Sequence, residues 1–325
     1  MSLSKERIKW IDCVKGIAII LVIIGHSISI SLVRGLIFSF HMPPFFILSS
    51  MTFKCSKDIN EYKIKTKKSF EHLIFPVIII CLIKMFLQTN MLFTKEWFIT
   101  NSFVLLLSSG AGVICPFLDE VRYVAMGMPW FLVVLFLARL VYDYMHLHTS
   151  SKKWLFILSI LVSTVGVWIS KFLWLPFSFD IVLSIMFFMY IGSNVKKDRS
   201  FQRLNFWCGV FLSGWLITFF IIFYFTKSYL ELAARQYPLF PLCYITAVLG
   251  TFFLFCLSMK ISDTCEYLCY FGKYSIYIFC IHALDEYWSC LYNITNSEFL
   301  NCVLRVLIDL FIFELVMKIR EKVKV

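Results

Sequence analysis

The sequence predicts an all-α fold: a polytopic membrane helix bundle of about ten transmembrane helices with one additional short apolar segment. Three observations carry this expectation. First, of 325 residues 60% are AVILMFWYC, only 16% are charged and 36 are Phe, with a mean hydropathy of +0.81. A soluble domain keeps about a quarter of its residues charged. Second, ten apolar runs are each long enough to cross about 30 Å of hydrocarbon. Third, Lys and Arg gather in alternate loops, as they do on the cytoplasmic side of membrane proteins. The same composition excludes disordered, collagen-like and disulfide-stapled secreted chains.

The first run, 10–33, follows Lys5, Arg7 and Lys9. At about 23 residues, with no small-residue cleavage site, it reads as a retained helix and not as a signal peptide, whose apolar core is about 7 to 15 residues long. The second run, 36–53, contains His41 and Pro43-Pro44; the third, 70–93, follows a loop with six Lys between Lys54 and Lys68 and contains Pro76. Segment 98–116 is the short one, interrupted by Asn101 and Ser108-Ser109-Gly110-Ala111-Gly112, and reads as a span or a re-entrant segment. The run 128–147 opens at Pro129-Trp130, 154–173 follows Lys152-Lys153, and 178–195 is entered by Asp180. Runs 204–226, 238–259, 267–291 with His282, and 299–317 complete the set.

Charge decides how 98–116 behaves. With ten crossings and the N-terminus inside, cytoplasmic segments hold 21 Lys and Arg, against six outside (Arg34, Lys95, Arg122, Lys171, Lys227, Arg235). A full crossing by 98–116 reverses every later loop and leaves about 13 inside and 14 outside. The expectation is therefore ten crossings, 98–116 not crossing, and both termini cytoplasmic. No internal repeat or soluble domain stands out, so residues 1–325 read as one integral membrane unit. The net charge of +11 follows from the loop bias and does not indicate a nucleic-acid partner. The twelve Cys lie mostly inside apolar runs, where they act as small hydrophobes; Cys265 and Cys269 have no second pair at metal-ligand spacing, so no metal is expected.

Ionisable side chains inside apolar runs are costly and mark function or pairing. The first run carries Asp12, Lys15 and His26. Eleven residues at about 100° each bring Lys15 and His26 onto one helical face, about 16 Å apart along the axis. Asp12, three residues before Lys15, is within ion-pair reach of it. The bland alternatives are an interfacial snorkelling Lys and a structural His bonding a neighbouring helix. His41 and His282 fall on the same outer side as His26, and Asp180 and Trp130 enter their runs from that side. A His, a carboxylate and aromatic faces suit a polar, sugar-like acceptor beside a general base. On the inner side, the lysine-rich loop ending in Lys67-Lys68, followed by His72, suits the phosphates of an anionic donor; ordinary positive-inside charge or contact with anionic lipid is the alternative.

Taken together, these strings resemble the acyltransferase family 3 membrane proteins, in particular the fucose 4-O-acetylase-like and polysaccharide O-acetyltransferase branch. The matches run through Ile11-Asp12-Cys13-Val14-Lys15-Gly16 and Ile24-Gly25-His26, which fit the family's basic residue, ten spacers and His. They continue with Phe40-His41-Met42-Pro43-Pro44-Phe45-Phe46, Pro129-Trp130-Phe131-Leu132, Leu175-Pro176-Phe177-Ser178-Phe179-Asp180 and Phe271-Gly272-Lys273-Tyr274-Ser275-Ile276-Tyr277-Ile278 with His282. The chain departs from the family at Ser49-Ser50-Met51, where Ser-Gly-Tyr is usual, and in having Lys15, Lys67, Lys68 and His72 where Arg is frequent. The resemblance implies transfer of an acyl group, usually acetyl, from cytoplasmic acetyl-CoA to a hydroxyl of a glycan or its lipid-linked precursor, in the inner membrane of a bacterium and without a bound cofactor. It implies His26 as general base or transient acyl carrier, with Lys15 and Asp12 beside the reaction path. His41, Trp130, Asp180, His282, Tyr277 and Ser275 are then expected on the acceptor, and Lys67, Lys68 and His72 on the donor. A transporter or flippase with a buried His/Asp proton relay is the reading from another class, and the same fold moving succinyl or another acyl group is a third.

Overall fold

The computed structural model describes residues 7–87, 94–114, 122–123, 125–149, 151–195 and 203–323. In chain order its helices are α1 (Lys9–Ser27), α2 (Ser31–Phe38), α3 (Pro43–Thr52), α4 (Ile59–Leu87), α5 (Lys95–Leu107), α6 (Trp130–His148), α7 (Lys152–Ile169), α8 (Phe179–Ser184), α9 (Met186–Asn194), α10 (Leu204–Thr226), α11 (Leu242–Ile261), α12 (Glu266–Lys273), α13 (Ser275–His282) and α14 (Glu298–Val323). Short 3-10 turns stand at Pro176–Ser178 and Asp285–Leu291. Extended pairing among the described residues is confined to a two-residue antiparallel pair, Val113–Ile114 with Arg122–Tyr123, and one bridge between Glu231 and Gln236.

Seven helical stretches are long and apolar enough to cross a membrane: Lys9–Ser27, Ser31–Thr52, Ile59–Leu87, Trp130–His148, Lys152–Ile169, Leu204–Thr226 and Leu242–Ile261. The pair Pro176–Ser184 and Met186–Asn194, bent by 53°, makes an eighth. These eight coincide with eight of the ten expected spans. The other two, 267–291 and 299–317, are helical but not of the same kind. The first breaks into α12, α13 and a 3-10 turn, and α14 carries Arg305, Asp309 and Glu314 among its apolar residues. Within 98–116, α5 ends at Leu107 on Ser108, which has a positive φ of 46°; its 13 residues rise about 20 Å, short of a bilayer core. Residues 115 and 116 lie outside the described residues. The outward faces are apolar, as lipid contact requires: Phe206, Ile217, Tyr224 and Phe225 on α10, and Phe75, Leu82 and Phe86 on α4, are all exposed.

The chain forms two compact units. The first comprises residues 1–45, 198–230 and 238–325. In it α1 packs on α11, α12, α13 and α14, with Trp10 against Phe255 at 5.4 Å between ring centroids. Contact between α1 and α12 is backbone to backbone. A Cβ at Gly16 would fall on the Leu268 carbonyl, and one at Gly272 on the Asp12 carbonyl, so only glycine permits the approach. That crossing sets α13, which follows α12 after Tyr274, alongside the second half of α1.

The second unit comprises residues 46–197 and 231–237. Its core joins α4, α6, α7, α8 and α9. Arg139 of α6 donates through Nε to Ser49 Oγ at 2.7 Å, the Asp143 carboxylate accepts from the Ser56 N–H at 2.7 Å and from its hydroxyl at 2.6 Å, and Tyr142 and Ser193 share a hydrogen bond of 2.6 Å. These polar groups, set in an apolar unit, are thereby tied to partners from another helix or loop.

Candidate functional site

Helix α1 is continuous from Lys9 to Ser27, so Lys15 and His26 do lie on one rod with about 16 Å between them. Its Lys9 end carries Asp12, buried and paired with Arg7, whose Nη2 lies 3.1 Å from Oδ1. Arg7, five residues before Asp12, is thus one partner of its carboxylate. Arg7 also donates to the Lys273 carbonyl at 3.2 Å. Lys15 itself is half-buried. Near this end α13 begins with Ser275 and Tyr277, both half-buried, and the Arg320 guanidinium lies over the Tyr277 ring at 5.1 Å.

The His26 end holds the chemistry. His26 is exposed, while the His282 ring, 5.8 Å away between centroids, is 2% exposed. His282 Nδ1 faces two carboxylate oxygens, Asp285 Oδ2 at 2.8 Å and Asp309 Oδ2 at 3.0 Å, and is therefore the donor to both. Arg305 grips Asp285 with both arms of its guanidinium, Nη2 to Oδ1 at 2.8 Å, and with Nη1 reaches the His26 carbonyl at 3.0 Å and Ser27 Oγ at 3.4 Å. A carbonyl in the last turn of α1, left without a helical partner, thus receives a cationic donor. His26 also meets Phe38 edge-on at 5.7 Å, and Phe38 lies 4.4 Å from the buried His41. The three histidines expected on one side of the membrane therefore converge around the end of α1. His41 Nδ1, His282 Nε2 and Asp309 Oδ1 are buried without a hydrogen-bond partner among the described residues.

A cavity of about 550 Å³ opens beside His26, and its wall includes Tyr292, Asn293, Asn296, Glu298 and Arg305. That volume lies within the usual range for small-molecule sites. Of the residues expected on the acceptor within this unit, His282 stands against the His26 ring and His41 against Phe38, and neither lines the cavity. Ser275 and Tyr277 do not line it either, since they sit at the opposite end of α13. Among the described residues, His282, Asp285 and Asp309 are the group of His, Cys, Asp or Glu whose ligand atoms, within 4.8 Å of one another, are close enough to share a metal ion. Here His282 Nδ1 is engaged with both carboxylates, and Asp285 with Arg305, which already supplies a cation.

The remaining expected site residues belong to the second unit. Trp130 is buried at the first turn of α6, after Pro129. Asp180, fully buried, accepts from Arg235 Nε at 2.9 Å and Nη2 at 3.3 Å, and from the Leu175 N–H at 3.2 Å. Arg235 is further held by Ser109 Oγ at 2.7 Å and Ser178 Oγ at 3.1 Å, with its guanidinium 3.5 Å from the Trp174 ring centre. This is a closed ion-pair network, which leaves the Asp180 carboxylate committed to the fold of this unit. Lys67, Lys68 and His72 are exposed on α4.

Sequence reasoning missed Arg305, Asp285, Asp309, Glu298 and the cavity asparagines. A signal was present in Arg305 and Asp309: four residues apart on one helical face, they are charges inside an expected span.

A family model described as an acyltransferase domain matches residues 8–310. No curated protein and no solved structure matches the chain.

Proposed function

The chain belongs to acyltransferase family 3, and from that premise we propose that it is an O-acetyltransferase moving acetyl from cytoplasmic acetyl-CoA to a hydroxyl of a surface polysaccharide or its lipid-linked precursor. The coarser activity, that of a membrane acyltransferase, comes with the family and the apolar helices. The finer reading rests above all on one observation: His26 stands exposed on the wall of a polar cavity, on the same helix as Lys15 and about 16 Å from it.

In this reading the acceptor hydroxyl enters the cavity beside His26. The imidazole takes the hydroxyl proton as the oxygen attacks the thioester carbonyl. Collapse of the tetrahedral adduct breaks the C–S bond, and the coenzyme A thiolate leaves with the proton that His26 returns. In the variant with a covalent carrier, His26 nitrogen attacks the thioester and the C–S bond breaks to release the coenzyme A thiolate; the acceptor oxygen then takes the acetyl as the C–N bond breaks, and its proton passes to the freed imidazole. Lys15 supplies positive charge on the donor's path, and Lys67, Lys68 and His72, exposed on α4, are the cations offered to the donor's phosphates from the second unit. His282, clamped by Asp285 and Asp309, supports the His26 ring from behind.

The site belongs to the inner membrane of a bacterium, with both termini cytoplasmic and the His26 end facing out. Reporters inserted near Lys171 and Tyr229 then read outside, and one fused after Val325 reads inside. The direct test is mass spectrometry of surface glycan from a strain lacking the protein. Loss of the mass of acetyl groups from the repeat unit is expected, and unchanged acetylation overturns the proposal.

A further inference from the structure

The charge ledger of the cavity names a class of acceptor. Among the described residues, two charged side chains, Arg305 and Glu298, line its wall. Arg305 is neutralised at hydrogen-bond distance by Asp285 and is drawn toward the His26 carbonyl. Glu298, whose carboxylate accepts from the Ser29 N–H, has no cationic partner among the described residues. A carboxylate or phosphate entering here meets an unbalanced negative charge, and the nearest cation is already committed.

Three asparagines stand in the neutral lining, beside Ser27, Ser29, Tyr292 and Cys302. Asn293 and Asn296 are exposed, and their side-chain amides make no hydrogen bond to the described residues. Asn301, by contrast, is locked to Thr295: its Oδ1 accepts from the Thr295 hydroxyl at 2.7 Å, and its Nδ2 donates to the Thr295 carbonyl at 2.8 Å. The Thr295–Asn301 clasp thus shapes the segment that presents the two open amides. Each amide offers a donor and an acceptor side by side, which matches hydroxyl groups, themselves donor and acceptor at once. An anionic ligand needs donors only, and the usual device for one is a free Arg or Lys.

We infer that the cavity takes an uncharged sugar ring, a hexose or an N-acetylated amino sugar, and that Glu298 excludes rings bearing a carboxylate or phosphate. The inference rests on the reading of this cavity as the acceptor site of an acyltransferase, and it names the class of acceptor.

The test pairs neutral hexosides with the uronates that differ from them only at C6. The purified full-length protein in detergent is examined with gluco, galacto and manno pairs, by ligand-observed NMR for binding and by acetyl transfer from acetyl-CoA. Neutral hexosides are expected to bind at least about tenfold better than their uronates at low salt, the size of one nearby like charge near a protein surface. In Glu298→Gln, whose amide oxygen can still accept from Ser29, that ratio falls by about the same factor. Equal or preferential binding of uronates, a ratio unmoved in Glu298→Gln, or no binding of either class overturns the inference. Acetylated uronates would overturn it while leaving the acyltransferase reading in place. Selective binding of neutral hexosides without acetyl transfer would do the reverse.

Discussion

Arg305 donates to the main-chain carbonyl of His26 at 3.0 Å while gripping Asp285, which in turn accepts from His282. One guanidinium therefore ties the end of α1 to α14 and to the turn after α13. The position of the exposed imidazole depends on a residue 279 positions later in the chain.

Arg305→Ala is expected to leave Asp285 without its cation and the His26 carbonyl without its donor. Breaking a largely buried pair from one side costs about 3–5 kcal/mol, and the partial exposure of Arg305, 16% of its side chain, places the loss toward the lower figure. A fall of several degrees in the thermal midpoint in detergent, with acetylation lost, is the expected result. Arg305→Lys keeps the charge but not the planar two-armed grip, so it should recover only part of the midpoint. An unchanged midpoint in Arg305→Ala would show that the clasp does not hold α1.

Lys15→Ala should reduce acetylation by removing a cation from the donor's path, whereas Lys15→Arg should retain most of it, because charge and reach survive. Acetylated glycan is quantified at matched protein level. Full activity in Lys15→Ala returns Lys15 to the role of an interfacial anchor.

Asp180→Ala separates two roles. A fully buried pair with Arg235 predicts that removing the carboxylate strands a guanidinium and costs about 3–5 kcal/mol, so folded protein recovered from membranes should drop sharply. A variant that accumulates normally but fails to acetylate glycan would instead make Asp180 a substrate contact.

The helical, membrane-spanning character and the convergence of His26, His41 and His282 are legible in the sequence, because each depends on short-range regularities: run length, an eleven-residue spacing, and the side of the membrane at which a helix ends. The partner choices are not legible. Asp180 and Arg235 are 55 positions apart and meet only through packing. Arg7 reaches Asp12 from a position before α1, five residues away, a contact that helical spacing does not indicate. The last two expected spans depart from simple apolar helices for a related reason. Hydrogen bonds link Arg305 to Asp285 and His282 to both Asp285 and Asp309, so charged groups in one segment find partners in the other and neither needs to be uniformly apolar.

The central claim is that His26 does chemistry and is not merely a hydrogen-bonding side chain. His26→Gln tests it most directly, since an amide keeps hydrogen-bonding capacity but cannot take a proton at neutral pH or carry an acetyl group as imidazole does. Acetyl transfer to glycan is measured in cells expressing His26→Gln at the wild-type level. The account predicts a loss of about 10² to 10⁴ in rate, the usual worth of a general base, with the protein still inserted and folded. Wild-type acetylation in that variant would contradict it.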